Sequence, residues 1–163
     1  MTRFAVTGAY SRARPRLLVL ILSALSISMM LQDVGYAGTF AIAKKYVGLH
    51  ETKHNGKLSR YLGINPRRTP WCGAFVGTVV KRAGKTVPDG YLRAASWKTV
   101  GKPVTLKRAR AGDIVVVRTK YGNHVGFYAG QKNGKVQLLG GNQSNRVQVS
   151  NYHVRSIQAI RRH

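Results

Sequence analysis

Cysteine, acidic side chains and long apolar runs are all scarce in this 163-residue chain. Cys72 is the only cysteine, so no disulfide can form within the chain. Four residues are acidic, and only Glu51, Asp89 and Asp113 lie beyond residue 37. No metal-ligand spacing, internal repeat or low-complexity tract is present, and neither a metal nor another cofactor is expected.

The longest apolar run, residues 17–31, is too short for a membrane span, which takes roughly 20 residues. Arginines precede it, and small residues around Gly35 and Ala37 follow it, as in an export signal. Residues 1–37 are therefore predicted to be a signal peptide cleaved after Ala37, with residues 38–163 as one domain. An uncleaved anchor is the alternative, because Tyr36 makes the cleavage site imperfect.

The charge is strongly unbalanced, with 28 basic against 4 acidic residues and a net charge of +24. Removal of residues 1–37 takes away four arginines and one aspartate, which leaves 24 − 3 = +21. Such a field attracts polyanions. An exported protein meets the cell envelope first, so anionic envelope polymers are expected as partners rather than a specific nucleic acid. A membrane is a partner only if the anchor is retained, and the protein is expected to be a monomer.

The first half of the chain has helical patterns. A stripe of apolar residues predicts a helix over 39–51, and a shorter one is predicted over 58–64. Residues 71–84 form an apolar stretch that ends at Gly84, with Thr69 as the predicted N-cap and Pro70 at the first helical position. Another short helix is predicted over 91–101.

The second half consists of short segments rich in β-branched residues, separated by Gly and Asn turns. The pair Asn133-Gly134 predicts a tight hairpin. Helices followed by an antiparallel meander predict an α+β fold with the helices packed on one face of the sheet.

Cys72 falls in the first turn of the predicted central helix. Unpaired N–H groups and the positive end of the helix dipole stabilise a thiolate there, and Arg67 and Arg68 add positive charge. A lone cysteine in an exported protein is otherwise a core residue or half of an intermolecular disulfide.

A thiol nucleophile needs a base and a group that orients the base. His124 opens a strand after a glycine-containing turn, whereas His50, His54, His153 and His163 lie in less favourable places. Asn142 follows two glycines at the end of the next strand, and its amide oxygen is a candidate to orient the imidazole. Gln143 and Asn145 are alternatives, and an asparagine after two glycines is also an ordinary turn residue.

Four motifs occur in order: "PWCGAFV", "AGDIVVV", "NHVGFYAG" and "LLGGNQSN". Together they resemble the NlpC-type and CHAP cysteine amidases and peptidases, and most closely a small subgroup with "WC-x-x-FV" and "GGNQSN". The resemblance covers nearly all of residues 38–163. It implies a papain-like core with an antiparallel sheet of five to six strands.

The resemblance also implies a function. Cys72 would be the nucleophile, His124 the base and Asn142 the orienting residue of a peptidoglycan hydrolase that cleaves an amide through a thioester. Many members of the family have a carboxylate or a second histidine in the third role, which "GGNQ" lacks. The alternatives are a basic binding module that does not catalyse, and an antibacterial effector with the same chemistry.

Three residues are candidates for substrate contact: Asn55, Trp71 and Trp97. Tryptophan in a groove binds glycan or peptide, but tryptophan is more often a core residue, and this is the favoured interpretation for Trp71. For Trp97 both interpretations stay open.

Overall fold

The computed structural model describes residues 38–163. The predicted signal peptide and its cleavage site at Ala37 lie outside the described residues. Within residues 38–163, no helix is long and apolar enough to cross a membrane.

Three of the predicted helices are shorter in the structure, and the one predicted over 58–64 begins three residues earlier and ends two residues earlier. Residues 38–44 are helical and are followed by a turn, whereas the pattern predicted a helix to residue 51. Helix α1 spans Asn55–Leu62, and helix α2 spans Cys72–Arg82. Short 3-10 helices lie at Ala94–Lys98, Leu106–Arg108 and Val154–Ser156.

The start of α2 differs from the prediction by two residues. Its N-cap is Trp71, whose side chain makes no capping hydrogen bond, so Thr69 and Pro70 lie before the helix. The helix is set by burial instead of by a polar cap, because eight of its residues are buried. Cys72 is consequently its first residue.

In the described part of the chain, six strands form one antiparallel sheet in the order β1-β6-β2-β3-β4-β5. The strands are β1 (Lys102–Pro103), β2 (Ile114–Thr119), β3 (Gly122–Lys132), β4 (Lys135–Gln143), β5 (Arg146–His153) and β6 (Ile157–Arg162). Asn133 and Gly134 both have positive φ, which confirms the tight turn between β3 and β4. The α+β class and the antiparallel sheet of six strands agree with the prediction.

Both faces of the sheet bury apolar residues. On the helix face, Val116, Val125, Phe127 and Leu139 belong to one core cluster with the buried side of α2. On the opposite face, a smaller cluster contains Val115, Val117, Val136, Leu138 and Ile160. Residues one apart on a strand point to opposite faces, so His124, which pairs with Val117, belongs to the opposite face.

Glycine allows the start of α2 to approach the sheet closely. A Cβ at Gly141 on β4 would lie 2.5 Å from the Trp71 ring and 2.7 Å from Cβ of Phe75. On the other side of the helix, a Cβ at Gly73 would lie 2.3 Å from the carbonyl oxygen of Leu92. These approaches hold Cys72 against β4.

Two of the three acidic residues beyond residue 37 have structural partners. Glu51 accepts a hydrogen bond of 2.9 Å from Nε1 of Trp71. Asp113 is 1% exposed and forms a salt bridge of 2.8 Å with Arg162. Both carboxylates therefore hold the fold together, one beside α2 and the other beneath β6.

We predict that Gly141→Ala lowers the free energy of unfolding by about 1 to 3 kcal/mol, because the added methyl group overpacks the contact with Trp71. Gly56→Ala is the control: Gly56 is in α1 with nothing within 4 Å of its Cβ position, so alanine should leave stability unchanged or raise it. Chemical denaturation followed by tryptophan fluorescence measures both. Equal stabilities of the two variants would contradict the close-packing argument.

Candidate active site

A cavity of about 850 Å³ opens where the start of α2 meets the sheet. Its wall contains Cys72, His124 and Asn142, which the sequence analysis selected as catalytic candidates. The β2–β3 turn and the segment from the end of β4 to the start of β5 supply most of the other lining residues. The lining is rich in amides and hydroxyls, so the cavity suits a polar substrate.

The Cys72 side chain lies at the open N-terminus of α2 and is 8% exposed. Burial raises the pKa of the thiol above its ordinary value. Hydrogen bonds from the backbone N–H groups of Val125, Gly73 and Cys72 itself lower the pKa of the thiol, but by less than burial raises it. The sequence analysis expected the helix end to favour a thiolate. The structure shows that desolvation outweighs it.

The sulfur reaches the sheet where two strands separate. The pairing of β3 with β4 ends at Phe127 and Leu139, although β3 begins at Gly122 and β4 continues to Gln143. Val125 lies in the separated part of β3, and its N–H faces the Cys72 sulfur. Val125 follows His124 directly in β3, and Cys72 and His124 both line the cavity.

His124 is the third residue of β3 and is 9% exposed. Its ring stacks on the ring of Tyr152 from β5, with centroids 5.3 Å apart and planes at 22°. Burial lowers the pKa of His124 from 6.5 to about 4, and the side chain of Gln143 opposes this shift weakly. The imidazole is therefore neutral at pH 7 and carries a basic nitrogen.

The two ring nitrogens of His124 have different surroundings. A Cβ on Gly140 would be 3.4 Å from Nε2 of His124 and 3.4 Å from Cδ of Gln143, so Nε2 is directed toward β4. Nε2 is buried and makes no hydrogen bond within residues 38–163. The Gln143 amide lies near this nitrogen, but no hydrogen bond joins the two groups.

A bulge in β4 determines which amide lies next to His124. The register with β5 shifts between Gly140 and Gln143, and Asn142 has a φ of 58°. A bulge adds a residue and reverses the alternation of side chains after it. Gln143 is consequently turned inward, 4% exposed, on the same face as His124.

Asn142 lines the cavity, half-buried, one residue before Gln143. The contact with the imidazole belongs to Gln143, which the sequence analysis named as an alternative for the third role. Asn145 also lines the cavity. Together with Ser144 it has positive φ in the two-residue turn between β4 and β5.

The three residues predicted to contact substrate lie elsewhere. Trp71 and Trp97 are both 0% exposed, so they are core residues in this structure, and the prediction of substrate contact by them is corrected. Large apolar rings complete the core on either side of α2. Asn55 is at the start of α1, where its amide contacts Asn65 at 3.4 Å, and it is not part of the cavity wall.

Tyr152 is the member of the site that the sequence did not reveal. Its hydroxyl donates to Oε1 of Gln143 at 2.9 Å, and burial raises the pKa of the phenol. The only available signal was its position on β5, opposite Val136. That position could be assigned only after the register of the sheet was known.

The arrangement suits acyl transfer by a cysteine. A thiol, a neutral imidazole and an amide acceptor line one polar cavity, and backbone N–H groups at the start of α2 are directed toward the Cys72 sulfur. Within the described part of the chain, no group of three His, Cys, Asp or Glu residues is placed to hold a metal ion.

Comparison with known proteins identifies the family and the fold. Residues 56–160, more than half of the chain, match the profile of the NlpC/P60 family. No curated protein matches the sequence. Among solved structures, the P60 domain from the M. avium paratuberculosis antigen MAP1272c is similar, with a TM-score of 0.58, 15% identity, and coverage of 84% of this chain and 98% of that one.

A second similar structure is Rv1477, described as a hypothetical invasion protein of Mycobacterium tuberculosis. It has a TM-score of 0.57 and 15% identity over 82% of this chain and 64% of its own. At this level of identity the two structures establish a shared fold.

The shifted pKa of His124 predicts a pH-dependent stability. The folded-state pKa of about 4 is below the unfolded value of 6.5, so the unfolded chain binds more protons between these pH values. The free energy of unfolding should therefore fall as pH decreases from 6.5 to 4, by up to about 3 kcal/mol. Denaturation of wild type and His124→Asn at several pH values tests this. Equal pH slopes for the two proteins would contradict it.

Proposed function

Because the chain belongs to the NlpC/P60 family, whose members are generally cysteine peptidases and amidases, we propose that it is an exported hydrolase that cleaves an amide bond in peptidoglycan. One observation carries the proposal. Cys72 at the N-terminus of α2 and His124 on β3 line one polar cavity, and burial keeps both side chains neutral.

In the proposed reaction, His124 takes the proton from Cys72 as the sulfur attacks the amide carbonyl carbon. A neutral imidazole with a low pKa and a thiol with a raised pKa favour proton transfer during the attack over a preformed ion pair. The S–C bond forms and the C–N bond breaks, and His124 returns the proton to the leaving amine. Water then hydrolyses the thioester and regenerates the thiol.

The negative charge that develops on the carbonyl oxygen needs donors already in place. The backbone N–H of Cys72, at the uncapped start of α2, is our candidate for one of them. Gln143 is our candidate for the residue that orients His124, in preference to Asn142, because its amide lies against the ring. Asn142 then remains available to the substrate side of the cavity.

The substrate and location fit the composition. A net charge of +21 on residues 38–163 draws the protein to anionic envelope polymers and raises its local concentration at the wall. The amide-rich and hydroxyl-rich cavity offers partners for the polar groups of a stem peptide or of the sugar that bears it.

Incubation of purified residues 38–163 with sacculi tests the reaction. We expect soluble muropeptides together with new free amino groups, and no new reducing sugar ends, because an amide and not a glycosidic bond is cut. Cys72→Ala, Cys72→Ser and His124→Ala should each reduce release by at least about 10³-fold. Tyr91→Phe, at a residue outside the cavity wall, is the control that should keep activity.

The same variants separate catalysis from simple binding. A non-catalytic binding module would hold sacculi in a salt-sensitive manner, release nothing, and be indifferent to Cys72. If wild type and Cys72→Ala released equal amounts of muropeptide, the hydrolase proposal would be contradicted. Circular dichroism must show that both proteins are folded.

Export is tested separately. Expression of the full chain in a bacterium should yield a mature protein outside the cytoplasm, and mass spectrometry should place its N-terminus at Gly38. A full-length protein in the membrane fraction would indicate an uncleaved anchor. Intact cytoplasmic protein would contradict export altogether.

A further inference from the structure

The amide of Gln143 has a fixed orientation. Its Nε2 donates to the carbonyl oxygens of Leu138 and Gly140 at 3.2 Å each, and to that of Gln148. Its Oε1 accepts from the Tyr152 hydroxyl at 2.9 Å. If the amide were rotated by 180°, Oε1 would face three carbonyl oxygens, an arrangement without any donor. Oε1 is therefore held on the side of Tyr152.

Tyr152 contacts both His124 and Gln143. Its ring stacks on the His124 imidazole, and its hydroxyl bonds to the amide that adjoins that imidazole. One side chain thus restricts the plane of the histidine ring and the direction of the acceptor next to it. Half-buried on the cavity wall, Tyr152 has a packed position from which to do this.

The geometry has a consequence for the proton on His124. A carbonyl oxygen has two lone pairs, and the Tyr152 hydroxyl uses one of those on Oε1 of Gln143. The other is available to Nε2 of His124, which is buried without a hydrogen bond. An N–H at Nε2 is attracted by this oxygen, whereas a lone pair at Nε2 is repelled.

We propose that Tyr152 is a positioning residue that, through Gln143, keeps the proton of neutral His124 on Nε2 and the lone pair on Nδ1. Its importance for catalysis depends on the proposed function, since Nδ1 is the nitrogen that would accept the thiol proton. The tautomer itself does not depend on turnover.

Two variants divide the role of Tyr152 into its parts. Tyr152→Phe keeps the stacked ring and removes the hydroxyl, while Tyr152→Leu removes both. Tyr121→Phe is the matched control, because Tyr121 lines the same cavity but is 88% exposed. All are made in residues 38–163, and His124→Asn assigns the His124 signals.

Long-range ¹H–¹⁵N correlation spectra of histidine-labelled protein at pH 7 report the tautomer directly. We expect His124 to be almost wholly in the Nε2–H form in wild type and in Tyr121→Phe, and to become a mixture of tautomers in Tyr152→Phe. With sacculi as substrate, kcat for Tyr152→Phe should fall about tenfold and KM should change less than about twofold. Tyr152→Leu should lose more.

An unchanged tautomer in Tyr152→Phe would overturn the proposal, even if the variant were less stable, because a merely structural residue would affect only stability. A wild-type protein in the Nδ1–H form would overturn it as well. A protein that shows the expected tautomer shift but releases nothing from sacculi would support the positioning role and count against the hydrolase function.

Discussion

The close approach of the first turn of α2 to the bulged end of β4 is the contact on which the site depends. Gly141 leaves room for the Trp71 ring, and this brings the next residue, Cys72, to the point where β3 and β4 separate. The helix start has no polar cap, so packing fixes its position. A side chain at Gly141 would push the start of α2, which carries the thiol, away from β4.

Burial governs the chemistry of the site. It raises the pKa of Cys72 and lowers that of His124, so both groups are neutral at rest. A buried ion pair would have to repay the desolvation of two charges, and the few N–H groups around the sulfur do not do so alone. Charge separation is then a feature of the proposed reaction and not of the resting protein. The neighbouring amide and phenol supply polarity without net charge, in a chain that has very few carboxylates.

Two of the few acidic residues have a structural role and do not belong to the site. Glu51 holds Trp71 beside α2, and Asp113 is bound to Arg162, so both are engaged in the fold. Positive charge is spread over the remaining surface. The cavity wall also includes Arg118 and Lys120, so the field that attracts polyanions extends to the cavity itself.

The sequence by itself determined the α+β class, the hairpin at Asn133-Gly134, the family, and the choice of Cys72 and His124 as candidates. The fold class, the hairpin and the two candidates follow from local patterns of periodicity, turn chemistry and reactive side chains, whereas the family follows from the resemblance of four motifs in order. The tertiary structure decided the rest. Simple alternation along β4 favours Asn142 as the residue on the His124 face, and only the bulge turns Gln143 there instead. The register of the strands places Tyr152 in the site, and tertiary packing buries Trp71, Trp97 and the thiol. Neither could be read from the sequence, because each depends on residues that are distant in the chain.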